Sequence, residues 1–270
     1  MTEPERWLPG WDCHVHVFDA AAPALPGHYA PQTRGLAEIE TLAAPQGVGR
    51  LVLVQPSVYG SDHGVLLRAL RAEPGRHRGV AVVAPGIADA ELDALHAAGV
   101  RGIRINRVSP VGDRGDPAPM LRALAPRLRE RGWHVQWYVH AAELPLLPAL
   151  QDACALPFVL DHLGDLRAGT ADDTPAWTAL AALAAGGSWI KLSGWYRLNA
   201  SAPYGALHGS IVRVAGLFGS HLGWGSDWPH TGQPTEPALP YAATWAPVAA
   251  SLTPAAAAAV RDGQPLALYA

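Results

Sequence analysis

Apolar residues gather in eight short runs, most of them followed by a longer stretch with helical spacing. The runs are WDCHVHV (11–17), RLVLVQP (50–56), RGVAVVA (78–84), RGIRIN (101–106), WHVQWYV (133–139), PFVLDH (157–162), SWIKLSG (188–194) and HLGWGSD (221–227). They are rich in β-branched and aromatic residues, as parallel strands buried on both faces require. Between them, 63–74, 88–99, 117–132 and 204–219 place apolar residues at helical intervals. The stretch 88–99 aligns Leu92 and Leu95 with His96 or Ala98 and stops at Gly99, a C-cap signal. The stretch 117–132 opens on prolines and closes on basic residues, the polarity a helix favours. Pro126 predicts that this helix kinks or splits. The C-terminal stretch reads as one or two closing helices.

Strand and helix alternating eight times predict an α/β fold, a (β/α)₈ TIM barrel built as one domain over residues 1–270. An open doubly wound sheet alternates too. Its nucleotide-binding forms lose support because no G-x-G-x-x-G or G-x-x-x-x-G-K-[ST] follows an early strand. No internal repeat, low-complexity linker or domain boundary interrupts the pattern.

Composition narrows the partners. Apolar residues make up 49% of the chain and charged residues 16%, enough for a large core. A net charge of −3 with no run of like charges argues against nucleic-acid and anionic-membrane partners. No apolar stretch approaches the ~20 residues that span a bilayer. The start, MTEPERWLPG, lacks the apolar core of a signal peptide. Two cysteines, Cys13 and Cys154, form neither a disulfide framework nor a zinc ribbon. The expectation is a reduced, cytoplasmic protein, either monomer or homo-oligomer, acting on a small molecule.

Catalytic residues of such barrels come from the C-terminal ends of strands, and polar residues crowd there. His14 and His16, two apart on the first strand, should both point into the barrel, with Cys13 facing away. Gln55 and Ser57 end the second strand, Arg104 and Asn106 end the fourth, and Gln136, Tyr138 and His140 share the fifth. Asp161 and His162 end the sixth, Trp195, Tyr196 and Arg197 follow the seventh, and Ser226, Asp227 and His230 end the eighth. A single buried histidine is ordinarily a hydrogen-bonded core residue. Polar ends on seven strands are not explained as scaffold.

His14, His16, His162 and Asp227 suit one divalent transition metal. Without metal, the imidazoles could equally steady a developing oxyanion. A binuclear site bridged by a modified lysine is disfavoured, because the only lysine, Lys191, lies mid-strand on the seventh strand. No G-x-S-x-G elbow supports a serine nucleophile, and both cysteines sit in poor contexts. What remains is attack by water, with Asp227 taking its proton and later passing it to the leaving oxygen. Arg104 and Arg197 could hold a carboxylate, since guanidinium forks pair with it.

The strings DCHVHVFD, QPSVYG, GVRGIRIN, DHLG, IKLSGWYRL and WGSDWPH, in this order, resemble the amidohydrolase superfamily. Within it they are similar to the branch of 2-pyrone-4,6-dicarboxylate lactonases and related lactone hydrolases. The resemblance implies a TIM barrel that opens a lactone ester to a hydroxy acid or its keto tautomer. It implies Asp227 as the acid/base, with His14, His16 and His162 around the lactone carbonyl or on a metal. Members differ on the cofactor: none is required, or one zinc or manganese ion is bound. Tyr29, Ser57, Arg104, Tyr138 and Arg197 fall where the family grips substrate, and His230 is expected to line the pocket.

Two departures stand out. Dicarboxylate-handling members carry arginine after DH-x-G, where this chain has Asp165, with Arg167 nearby. A second basic residue after Arg104 is not placed, with Arg107 and Arg114 the candidates. A carboxylate at Asp165 beside a substrate carboxylate would be repulsive. The expectation is therefore a singly charged lactone or a hydroxylated sugar lactone in preference to a doubly charged one. The alternatives are a metal-dependent decarboxylase of an aromatic or unsaturated acid on the same scaffold, and an inactive ligand-binding barrel. The joint presence of His14, His16, His162 and Asp227 speaks against the last.

Overall fold

The computed structural model describes residues 7–27, 29–233 and 238–270. The expectation about the N-terminus falls largely on 1–6, outside the described residues. The strands are β1 (Gly10–Val15), β2 (Val48–Val54), β3 (Arg78–Ala81), β4 (Val100–Asn106), β5 (His134–Tyr138), β6 (Phe158–Leu160), β7 (Trp189–Leu192) and β8 (Leu222–Trp224). Each pairs in parallel with the next, in chain order. The ring closes through a parallel bridge of Val15 with Trp228. Bonds from His16 N to Trp228 O and from Asp227 N to His14 O, both 2.8 Å, complete the seam. This is the (β/α)₈ barrel expected, and every anticipated run contains a strand.

All the strands but β4 end earlier than the apolar runs do. Asp161, His162, Ser226 and Asp227 lie just past their strands, and His162 and Asp227 take left-handed φ of 48° and 60°. That conformation ends the ladder and turns the side chains over the barrel mouth. Side-chain carriers rarely adopt it, and it concentrates at functional sites.

The helices packed outside are α1 (Leu36–Ala43), α2 (Gly64–Ala72), α3 (Asp89–Ala97), α4 (Pro117–Glu130), α5 (Leu147–Cys154), α6 (Pro175–Ala185) and α7 (His208–Phe218). Three short helices close the chain, α8 (Ala246–Ser251), α9 (Pro254–Ala258) and α10 (Gln264–Tyr269), against the one or two expected. Helix α4 starts on an Asp116 cap that accepts from Ala118 N at 3.0 Å. It runs through Pro126 without splitting. Pro126 is exposed, so water can reach the carbonyl four residues back that proline leaves unbonded.

Strand β1 carries a bulge. Asp12 pairs with Leu51 and Val15 with Leu53, so three steps on β1 oppose two on β2. The extra residue puts Cys13 and His14 both on the inner side, which period-two alternation did not predict for Cys13. Cys13 joins Trp11, Val52, Val54, Val80 and Tyr269 in a cluster apart from the main core. Tyr269, from α10, plugs the N-terminal end of the barrel. Its ring stacks on Trp11 at 6.0 Å and meets His134 edge-on at 5.5 Å.

The Tyr269 hydroxyl is buried with no hydrogen-bond partner. Removing it should therefore cost nothing, whereas removing the ring opens a cavity. Urea unfolding should show Tyr269→Phe at or above the parent stability and Tyr269→Ala lower by about 3–5 kcal/mol. A large loss for the Phe variant would contradict this packing.

Candidate active site

The seam between β1 and β8 builds the floor of the site. The buried Asp12 carboxylate accepts from His14 N at 3.1 Å and Ser226 N at 2.9 Å through Oδ1, and from Tyr241 OH at 2.9 Å through Oδ2. It pins the bulge that carries His14 to the turn that carries Asp227. Gly225 permits the approach, since a Cβ there would lie 2.5 Å from His14 Cβ. Gly194, at φ +65°, likewise leaves room for the His162 ring.

Asp227 is fully buried among the histidines. Its Oδ1 lies 3.6 Å from His14 Nε2 and 3.4 Å from His16 Nε2, and the two Nε2 atoms are 3.3 Å apart. Its Oδ2 lies 3.8 Å from His162 Nε2 and accepts from Tyr196 OH at 2.6 Å and Arg197 Nε at 2.7 Å. Burial alone would raise the Asp227 carboxyl, but the Arg197 guanidinium beside it holds it well below the usual carboxylate range. Burial also drives His162 down to about 4, so its ring is neutral at pH 7.

A second layer sits beneath. His14 Nδ1 is 3.1 Å from Asp161 Oδ1 and 3.5 Å from Lys191 Nζ. Lys191 donates to Gln136 Oε1 at 2.6 Å, and burial lowers its ammonium to about 8 despite Asp161 nearby. Arg104 grips Asp161 Oδ2 with Nε and a terminal nitrogen, both at 3.1 Å.

These residues fit a divalent cation. His16 Nδ1 donates to Val54 O at 2.7 Å, which leaves Nε2 as the ring nitrogen whose lone pair can ligate. In the His14 tautomer that the Asp161 carboxylate selects, Nε2 of His14 is a lone pair as well. Asp227 Oδ1 is buried without a hydrogen-bond donor. Three lone pairs then face one another at 3.3–3.6 Å, a repulsive arrangement that a cation relieves. Tetrahedral ligands at about 2.0–2.2 Å from a metal lie about 3.3–3.6 Å from each other. Among the described residues, His14, Asp161 and His162 form a second such group.

Above this floor opens a cavity bordered by His16, Tyr29, Ser57, Arg104, Asn106, Ser109, Tyr138, His162 and Arg197. Five residues expected to contact substrate, Tyr29, Ser57, Arg104, Tyr138 and Arg197, border it together. His230 does not: it borders an adjoining cavity with Phe18 and Gln32, and Tyr29 and Thr231 border both. Asp165 also stays out. Its carboxylate lies against His140 Nδ1 at 3.1 Å, Ala141 N at 3.3 Å and Arg167 Nε at 3.3 Å. Asp165 thus does not border the cavity, and its charge reaches the site through Tyr138, whose hydroxyl it helps to raise. Arg107 and Arg114 are spent outside as well, on Glu143, Gly115 O, Arg107 O and Ser109 O.

Four contributors were visible in the sequence as strand-end or mid-strand polar residues but had no assigned role: Asp161, Tyr196, Asn106 and Lys191. Asn106 donates to Ser57 Oγ at 2.8 Å and accepts from Val108 N and Ser109 N, shaping the rim. Lys191 reaches the centre from below, with Nζ 3.5 Å from His14 Nδ1.

Comparison with known proteins gives the family of the chain. A family model described as amidohydrolase matches residues 11–270. The chain belongs to the amidohydrolase family. A 2-pyrone-4,6-dicarboxylate hydrolase of Comamonas testosteroni is 34% identical over 85% of this chain and 80% of its own length. A 4-sulfomuconolactone hydrolase of Rhizobium radiobacter is 28% identical over 82% and 76%. A Pseudomonas putida structure described as a 2-pyrone-4,6-dicarboxylic acid hydrolase superposes with a TM-score of 0.87 at 30% identity, covering 97% of each chain.

Burial lowers His77, His162 and His230 to about 4 and His134 to about 3. In the unfolded chain these rings take up protons near 6.5, so their contribution is complete above that pH and is lost as pH falls toward 4. Each is worth on the order of 3 kcal/mol across that window. The melting temperature should drop steeply from pH 6.5 to 4, and a flat profile would contradict the buried neutral rings.

Proposed function

We propose that the protein hydrolyses the ester bond of a small carboxylated lactone, with Asp227 as the proton carrier. The observation that carries this reading is a buried carboxylate facing the imidazoles at the floor of a cavity that two arginines border. The lactone hydrolases among its relatives support the substrate class. A hydroxylated sugar lactone is the neighbouring choice, with Ser57, Asn106 and Ser109 as partners for its hydroxyls.

Asp227 takes a proton from water as the water oxygen bonds to the lactone carbonyl carbon. The ring C–O bond then breaks, and the proton held by Asp227 passes to the departing oxygen. One lactone and one water give one hydroxy acid, or its keto tautomer where the released oxygen is enolic. His16 and His162 border the space where the carbonyl must lie. Arg104, anchored on Asp161, presents its remaining N–H groups to a substrate carboxylate. Lewis-acid polarisation of the carbonyl is what zinc or manganese would supply if held by His14, His16 and Asp227.

Asp227→Asn keeps the size of the side chain but cannot take the proton. It should lower kcat on a lactone substrate by about 10²–10⁴-fold, measured below the variant's own melting temperature, and unaltered turnover would refute the role. Zinc or manganese at 100-fold over its Kd should stabilise the parent by about 2.7 kcal/mol and the His14→Ala variant far less. Equal shifts would remove His14 from the ligand set. A decarboxylase on this scaffold would instead release carbon dioxide from an aromatic or unsaturated acid and lose all turnover on chelation.

A further inference from the structure

A second chamber adjoins the active-site cavity on the same face of the barrel. It holds about 250 Å³ and lies between the segments that follow β3 and β4. Ser57, Arg104 and Asn106 border both spaces. The rest of its wall is mostly apolar: Val82 and Val83 after β3, Ile105 on β4, Val111 in the loop beyond it and Met120 on α4. Ile105 faces this side because its strand neighbours Arg104 and Asn106 turn the opposite way. The loop folds back over the chamber through Asp113 N, which donates to Asn106 O at 2.8 Å. Gly112 permits that fold, since a Cβ there would collide with Asn106 O. The Asp113 carboxylate is spent in its own turn, where Oδ1 accepts from Gly115 N at 2.9 Å.

Small-molecule sites are mostly apolar, with a few fixed polar groups that orient the ligand. The two spaces together have that character. Asn106 is held by three bonds: it donates to Ser57 Oγ at 2.8 Å and accepts from Val108 N at 3.1 Å and Ser109 N at 3.0 Å. Asn106 and Arg104 thus make a fixed polar rim, with His16 and His162 on one side and Ile105 and Met120 on the other. Resting on the lactone-hydrolase reading above, we propose that the chamber seats an apolar substituent of the substrate, a carboxylated lactone that also carries an alkyl chain on its ring. The carboxylate meets the arginines, the ring lies beside His16 and His162, and the chain crosses the rim to Ile105 and Met120. The cavity beside Phe18 and His230 suits a chain less, being smaller at about 150 Å³ and bordered by Gln32, Arg34 and Gln233.

Rates on a homologous series test the chamber. Five-membered lactone carboxylates bearing hydrogen, methyl, propyl or pentyl are compared, with the chain at each free ring carbon in turn. For the ring position that directs the chain into the chamber, kcat/KM should rise by about fourfold per methylene until the space is filled. Met120→Trp puts an indole into that space, and the preference for pentyl over hydrogen should fall at least about tenfold. Met120→Ala enlarges it, so the best chain should become longer. The alanine form also decides the matter should the tryptophan form fail to fold.

A parent enzyme indifferent to chain length at every ring position would overturn the assignment of the chamber. So would a chain preference that neither Met120 variant alters, which would seat the chain elsewhere, as in the cavity beside His230. Failure of the parent enzyme on every member of the series, the unsubstituted lactone included, would instead overturn the lactone-hydrolase reading on which the chamber's role rests.

Discussion

One carboxylate that never meets substrate holds the active site together. Asp12 sits in the seam where the barrel closes and binds the backbone N–H of His14 on one side and of Ser226 on the other. A parallel ring of eight strands has to close somewhere, and here the closing edge is also where the groups proposed for catalysis meet. His14 arrives on the β1 bulge and Asp227 on the turn after β8, joined by the 2.8 Å bond from Asp227 N to His14 O. Burial raises the Asp12 carboxyl to about 6, and the donors from Ser226, His14 and Tyr241 counter that rise. The cost of burying it is the cost of aligning two elements that would otherwise be free to slide.

Around that seam the site alternates in charge. Asp227 faces Arg197, and Asp161 faces Arg104, Lys191 and His14. Each carboxylate stays ionised deep in the barrel because a guanidinium or ammonium stands beside it. Removing one partner would leave a buried charge uncompensated, a far larger penalty than the net worth of the pair.

Much of this was legible in the sequence. The eight apolar runs each contain a strand because strands buried on both faces must be apolar almost throughout, a demand that leaves a clear trace. Polar residues at the ends of those runs stood out for the same reason, and His14, His16, His162 and Asp227 do converge. The bulge left no trace, since an extra residue in a strand changes register without changing composition. Cys13 therefore faces inward against expectation. Lys191 drew no role beyond the disfavoured bridge, because chain position says nothing about which residues meet across a barrel. Asp165 looked like a substrate-facing charge because the partners that turn it aside, His140, Ala141 N and Arg167, are set by the fold and not by adjacency alone.

The central claim is that water attacks an acyl carbon and that Asp227 carries its proton. Turnover of a carboxylated lactone in ¹⁸O-labelled water, with mass spectrometry of the product, tests it most directly. The account predicts one labelled oxygen in the newly formed carboxylate and none in the released hydroxyl. Label in the hydroxyl would mean attack at the alkyl carbon, and loss of carbon dioxide without label would mean decarboxylation. Either outcome would contradict the mechanism.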